Sequence, residues 1–259
     1  MMNMTKLLDG LKSKKKIIML TAYDFQMARI LQSLSVDLLL VGDSLGVVFQ
    51  GHTSTKHVTM DDICYHTTAV SRGAGIVPVI ADMPIGSFGD PKTAVSNAKL
   101  CIDAGASGVK FEGYFPEIAA ALTAENIPVM GHLGLLPQTA EKYHVVGKAA
   151  EEADAMISHA LGLCDAGVFA IVFECIPENL AKTITAAIPV PSIGIGAGKY
   201  CDGQVLVIND LLGLDRGESH PPKFRKQYAD IGNTIANAVN MFITEVDEER
   251  YPDDGHTYH

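Results

Sequence analysis

Asp103-Ala-Gly-Ala-Ser-Gly-Val-Lys-Phe-Glu112 and Asp165-Ala-Gly-Val-Phe-Ala-Ile-Val-Phe-Glu174 align without a gap. Each reads as a helix ending at Ala-Gly, then a short strand, then a Glu at the strand's C-terminal end. Glycine there supplies the left-handed turn that closes a helix. The repeat marks two copies of one helix–strand unit and predicts equivalent places for Glu112 and Glu174. Outward from it, short apolar runs recur at 17–20, 38–41, 77–81, 109–111, 128–130, 170–173, 192–195 and 205–208. Each has strand length and stops at a polar residue or glycine. Between most of them lie Ala-rich, helix-compatible stretches such as 93–104, 117–125, 151–165 and 178–187. Strands alternating with helices imply a parallel sheet, and continuously apolar strands imply burial on both faces. Eight such units in a chain of 259 residues fit an α/β fold of the (β/α)8 TIM-barrel kind. A doubly wound open sheet is the alternative, but no phosphate fingerprint demands its switch-point ligand. Residues 223–246 read as one long helix, with Phe224, Tyr228, Ile231, Ile235, Val239 and Phe242 at helical spacing. An acidic tail follows at 247–259. No linker divides the chain, so a single domain over 1–259 is expected.

Composition narrows the function. With 20 Lys+Arg against 30 Asp+Glu the net charge is −10, which argues against a nucleic-acid partner. A hydrophobic fraction of 47% supports a sizeable core. Cys64, Cys101, Cys164, Cys175 and Cys201 form no C-x-x-C pair, which fits a reducing cytoplasm better than a disulfide framework. The basic stretch at 6–16 precedes only the short apolar run 17–20, too little for a signal h-region. No run approaches the ~18 apolar residues that span a membrane. The expectation is a cytoplasmic protein acting on small molecules, without membrane or nucleic-acid partners.

The strand ends carry the chemistry. Asp43 and Ser44 follow strand two, Asp82 follows strand three, and strand four gives Lys110 and Glu112. Strand five leads to His132 and strand six to Glu174. In a barrel these ends ring one mouth, where active sites of the fold sit. Lys110 and Glu112, two apart, point to the same side of their strand. Four carboxylates in one cleft repel one another unless some are protonated or a cation joins them. An all-oxygen donor set favours Mg2+ or Mn2+ over Zn2+ and leaves room for a chelating substrate and a carboxylate base. Taken singly, each residue also has a structural reading. An Asp after a strand caps a helix about as often as it does chemistry. His132 alone can be a hydrogen-bonded core residue, and Glu112 and Glu174 can serve in salt bridges with Lys. Gly194-Ile-Gly-Ala-Gly198 lacks the G-x-G-x-x-G spacing and reads as a turn. Residues 50–55 form either a lid over the mouth or an ordinary surface loop.

At these residues the chain resembles the ketopantoate hydroxymethyltransferase family. The likeness runs from about residue 21 to 258. It is carried by Thr21-Ala-Tyr-Asp24, Val41-Gly-Asp-Ser-Leu-Gly46, Gln50-Gly-His52 with Ser54-Thr55, and Ala81-Asp-Met-Pro84. Further along come Val109-Lys-Phe-Glu-Gly113, Gly131-His-Leu-Gly134, Phe173-Glu-Cys175, and Ile193-Gly-Ile-Gly-Ala-Gly198 followed by Asp202-Gly-Gln204. The resemblance implies a (β/α)8 barrel like those of the phosphoenolpyruvate mutase/isocitrate lyase group, assembled as a homodecamer. It implies Mg2+ and transfer of a hydroxymethyl group from 5,10-methylenetetrahydrofolate to 3-methyl-2-oxobutanoate, giving 2-dehydropantoate for pantothenate and coenzyme A synthesis. It puts the metal on Asp43, Asp82 and Glu112. Keto-acid contacts fall on Asp43, Ser44, Asp82 and Lys110, the general base on Glu174, and a site histidine on His132. The chain departs from the family pattern at Glu141-Lys-Tyr-His-Val-Val-Gly147, where His144 replaces a Lys or Arg and Val146 a Gln, and at Asn209, where a His is usual. Two other functions share these residues: a metal-dependent C–C lyase or mutase on another 2-oxo acid, and a non-catalytic ligand-binding barrel. A Schiff-base aldolase on Lys110 is a minor third, since nearby acids would keep that amine charged.

Overall fold

The computed structural model describes residues 15–142, 144–214 and 222–259. Residues 6–14 of the basic start and Tyr143 lie outside them. Eight parallel strands close into a barrel in sequence order. They are β1 (Ile17–Thr21), β2 (Leu38–Val41), β3 (Val79–Asp82), β4 (Gly108–Lys110), β5 (Val129–Gly134), β6 (Ala170–Glu174), β7 (Ser192–Ile195) and β8 (Gly203–Leu206). The open-sheet alternative fails at one seam: β8 pairs with β1, Ile17 opposite Gly203 through Leu20 opposite Leu206. The crossovers carry α1 (Phe25–Leu31), α2 (Leu45–Val48), α3 (Met60–Gly73), α4 (Pro91–Asp103), α5 (Pro116–Ala124), α6 (Ala150–Asp165) and α7 (Glu178–Ala187).

Several helix starts are written locally. Thr59 and Asp62 form a reciprocal capping box on α3, and Asp90 accepts the Thr93 N–H at 3.0 Å with Pro91 in the first turn of α4. The repeat behaves as read at its helix ends, while Glu174 ends β6 and Glu112 lies two residues beyond β4. Gly105 and Gly167 close α4 and α6 with φ of +104° and +91°, a backbone that favours glycine.

Register decides what fills the barrel. Partnered residues of adjacent parallel strands share a face. The series Lys110–Met130, Met130–Ala170, His132–Val172 and Gly134–Glu174 therefore runs along the inside. Ile17, Met19, Leu38, Leu40, Ile80, Met130, Val172, Ile193 and Val205 plug the interior. Each such aliphatic contributes about 1.5–3 kcal/mol when fully buried. Leu39, Val41, Ala81, Val109, Ile171 and Phe173 are buried on the opposite face, as continuously apolar strands require. The inward rows then continue toward the C-terminal ends as Asp82, Lys110, His132 and Glu174, directly above the apolar plug.

Some boundaries differ from the apolar runs. β3 begins at Val79 and takes in Asp82; β5 continues through His132 to Gly134. β4 covers Gly108–Lys110 and stops short of Phe111, and β8 ends at Leu206. A run of apolar letters stops at the first polar residue, whereas strand pairing continues through any residue whose backbone is free to bond.

By backbone contact the chain falls into two compact units, one ending at Val207 and one covering Ile208–His259. The second holds α8 (Ile208–Leu212) and α9 (Ile231–Asp247). The long helix read over 223–246 therefore starts later than its periodicity predicts. Asp230 caps α9, accepting the Asn233 N–H at 3.3 Å. Upstream, the Tyr228 N–H donates to Leu211 O at 2.9 Å, so this segment bonds to α8 and does not extend the helix. Phe224 and Tyr228 are not on the helix.

Candidate active site

Asp82 and Lys110 face one another across the β3–β4 ladder, and both are buried. The Lys110 ammonium donates to both Asp82 oxygens at 2.7 Å. Burial by itself would lower the Lys110 pKa, but Asp82, Glu112 and Asp43 outweigh it and raise it, so the amine stays charged. A charged amine cannot form a Schiff base.

Glu112 and Glu174, the two ends of the repeat, bracket one imidazole. His132 Nδ1 lies 3.5 Å from Glu112 Oε1, and its Nε2 lies 3.5 Å from Glu174 Oε2. These are approach distances, longer than ordinary hydrogen bonds. Burial first, and Lys110 second, push the His132 pKa well below its usual value, so the ring is neutral at physiological pH. Glu112 is pushed up to about 9, chiefly by burial and then, against the pull of Lys110, by Asp43 and Asp82. The Gln138 N–H donates to Glu112 Oε2 at 3.0 Å.

Asp43 follows a two-residue step from β2, and its N–H donates to Asp82 Oδ2 at 3.3 Å. Its carboxyl is raised to about 7, mainly by burial and then by Asp82. The capping interpretation fails for both aspartates. Ser44 holds the N-cap position of α2, and the helix after β3 is capped by Asp90. Ser44 spends its hydroxyl on Tyr23 Oη at 2.8 Å.

The donor set fits a hard cation in part. Asp43 Oδ2, Thr55 Oγ1 and Gln138 Oε1 are buried without a completed hydrogen bond. Thr55 and Gln138 nevertheless stand close enough to lower the Asp43 pKa. Buried oxygens without partners are costly, and a hydrated divalent ion that takes one or two carboxylates would satisfy them. No group of three or more His, Cys, Asp or Glu side chains is gathered around one metal position among the described residues. Asp82 is turned to Lys110, and Glu112 to Gln138. The arrangement therefore suits an open, partly hydrated ion site and does not suit a closed zinc-type cage.

Every residue singled out in the sequence lies at these strand ends, and all but Ser44 are buried. Gln138 was not anticipated. It is an amide at 1% exposure that touches Glu112 and donates to Met83 O at 3.0 Å. The only sequence signal for it is a lone amide in the apolar stretch after β5. Thr55 stands out in the sequence only as part of the Ser54-Thr55 pair. The 50–55 segment folds back on α2, with the His52 N–H donating to Gly46 O at 2.8 Å and Thr55 buried. Val146 meets the site through its backbone, its N–H donating to Cys175 O at 2.9 Å, so the change from Gln leaves this bond intact. His144 is exposed and bonds Lys142 O at 3.0 Å, and Asn209 sits half-buried on α8. Of the stretch read as a turn, Gly194 and Ile195 complete β7, and the chain bends only at Gly196-Ala197.

Comparison with known proteins agrees with this geometry. The family model for ketopantoate hydroxymethyltransferase matches residues 1–254. The 3-methyl-2-oxobutanoate hydroxymethyltransferase of Caldicellulosiruptor bescii is 49% identical over 98% of this chain and 98% of its own length. That of Geobacter sulfurreducens is 45% identical over 99% of this chain and 100% of its own. Among solved structures, 2,3-dimethylmalate lyase, a PEP mutase/isocitrate lyase superfamily member, aligns with a TM-score of 0.63 at 14% identity, covering 100% of this chain and 92% of that one. At that identity the likeness concerns the fold alone.

Proposed function

The chain belongs to the ketopantoate hydroxymethyltransferase family, and from that premise we propose how its mouth carries the reaction. It is a transferase that hydroxymethylates 3-methyl-2-oxobutanoate on the route to pantothenate. We assign 5,10-methylenetetrahydrofolate as the one-carbon donor and 2-dehydropantoate as the product. The observation that carries the assignment of roles is one buried mouth with a charged Lys110 on one wall and Glu174 beside a neutral His132 on the other.

In this reading Asp43, Asp82 and Glu112 would hold Mg2+. When bound, the cation is a Lewis acid that draws electron density from the 2-oxo carbonyl. Lys110 pairs with the substrate carboxylate, and Asp43 and Ser44 border it. Glu174 Oε2 takes the proton from C3. A neutral His132 can donate one N–H to the oxygen on which negative charge builds, without a charge of its own to neutralise. The carbanion so formed attacks the methylene carbon of the donor as one of its two C–N bonds opens; water then supplies the hydroxyl as the second C–N bond breaks, and the proton held by Glu174 returns to the departing nitrogen, so that 2-dehydropantoate and tetrahydrofolate leave. Burial below by the apolar plug keeps these charges strong.

The test is a mass-spectrometric assay with Mg2+, 3-methyl-2-oxobutanoate and 5,10-methylenetetrahydrofolate. Formation of 2-dehydropantoate that is lost in EDTA and lost without folate is expected. Turnover of an oxo acid without folate would replace this assignment with the C–C lyase one. We also place the chain in the cytoplasm as a homodecamer. That reading draws support from the family resemblance, from the exposed Ile235, Val239, Phe242 and Ile243 on α9, and from the lack of any described helix long and apolar enough to cross a membrane. Light scattering of the purified protein tests the assembly.

A further inference from the structure

We propose that residues 49–57, the loop after α2, form the donor subsite: Phe49 takes an aromatic ring of the folate, and Lys56 takes its acidic tail. The proposal rests on the folate assignment above. The donor is a bicyclic ring and a benzoyl ring ending in a glutamate with two carboxylates, so its subsite needs an aromatic surface near the reacting centre and positive charge at the length of the benzoyl ring beyond it.

Phe49 supplies the surface. Its ring is 55% exposed, yet it is held in place from behind. It lies 5.0 Å, edge-on, from buried His66 and 6.2 Å from buried Tyr23. His66 Nδ1 bonds Tyr23 O at 2.6 Å. Tyr23 in turn reaches Ser44 Oγ at 2.8 Å, next to Asp43. Two contacts thus join an open aromatic face to Ser44, the neighbour of Asp43, and exposed Tyr65 also meets the His66 ring.

Charge points the same way. From Leu45 to Thr59 the chain carries His52, Lys56 and His57 and no Asp or Glu, and the nearest carboxylate along the chain with a contact to the loop, Asp62, is engaged by Thr59 and Gln50. The His52 and His57 rings lie 5.0 Å apart beside exposed Lys56. The loop is already folded, pinned by the His52 N–H on Gly46 O and by buried Thr55, so little ordering cost falls on the donor.

Steady-state kinetics with Phe49→Ala, Phe49→Tyr and Lys56→Gln test this. Phe49→Ala is expected to raise KM for 5,10-methylenetetrahydrofolate about tenfold, the scale of a lost aromatic stack, with the keto-acid KM within about twofold. Phe49→Tyr restores the wild-type value. Lys56→Gln raises the donor KM about threefold to tenfold, the scale of a lost hydrogen bond to a charged group, and the difference disappears with 5,10-methylenetetrahydropteroate, which has no glutamate. An unchanged donor KM in Phe49→Ala, or both KM values rising together with a lowered Tm, would overturn the proposal and leave Phe49 a packing residue. Equal effects of Lys56→Gln on both donors would remove Lys56. Failure of the folate assignment itself shows earlier and separately, as wild-type protein that makes no folate-dependent product.

Discussion

A carboxylate that takes a proton from carbon must be aimed. Glu174 sits in the last register position of β6, and its Oε2 lies 3.5 Å from the neutral imidazole of His132, whereas Asp82 is locked to Lys110. Glu174→Gln keeps the shape and removes the base. We expect kcat to fall on the order of 10²–10⁴ and the exchange of the C3 proton of 3-methyl-2-oxobutanoate in D2O, followed by NMR, to fall with it. Turnover lost while exchange persists would move Glu174 to a later step. The Asp82–Lys110 pair makes a different claim. Lys110→Met would leave a buried carboxylate without its partner, a change that costs about 3–5 kcal/mol. Urea unfolding should read that loss, and the Lys110→Met, Asp82→Asn double variant should recover part of it. If the double variant is no more stable than the single one, the pair is not coupled in this way.

At the level of elements, Gly134 joins the fold to the site. It ends β5 with φ of +99°, and a Cβ there would lie 2.2 Å from the Glu174 carbonyl oxygen. Gly134→Ala therefore combines backbone strain of about 1–2 kcal/mol with overpacking of about 1–3 kcal/mol. Because the clash falls on the residue that carries the base, activity should drop along with Tm; a stable but fully active variant would show that β6 can move without cost. The same elements explain what the sequence reveals. Parallel strands buried on both faces must be apolar, so all eight are visible in the sequence, and the repeat points to Glu112 and Glu174. The site residues were legible because strand ends are where a barrel can afford charge. What escaped was tertiary. β5 runs on through His132 because that side chain turns into the mouth while its backbone stays in the ladder. Gln138 is fixed by contacts to Met83 and Glu112 from distant strands, which no local pattern encodes. The start of α9 depends on Leu211 capturing the N–H of Tyr228.

For the whole molecule, the crowded carboxylates make stability depend on pH and on the metal. Asp43 and Glu112 are raised from 3.8 and 4.5 to about 7 and about 9, so the folded chain without a cation holds protons that the unfolded chain has released. Stability must then fall as pH rises between those limits, at about 1.4 kcal/mol per pH unit for each extra proton held. The window from pH 7 to 8 isolates the effect. His132 adds little there, its folded pKa depressed and its unfolded one near 6.5, so that it is neutral in the fold and mostly neutral in the unfolded chain. The buried Cys101, Cys175 and Cys201 thiols and the part-buried Cys64 and Cys164 thiols, all raised, add their own slope mainly above it. In EDTA, Tm should therefore drop by about 2–4 °C for each kcal/mol lost across this window. With millimolar Mg2+ it should be higher and flatter, because an ion that binds the deprotonated carboxylates expels the same protons. Calorimetry at pH 7, 7.5 and 8 in both conditions, with Asp43→Asn as a third curve, reads the outcome. Parallel EDTA and Mg2+ curves would mean that the cation does not bind at these carboxylates. A flat EDTA curve would mean that they are not protonated in the fold, and either result would reassign the ion to another part of the mouth.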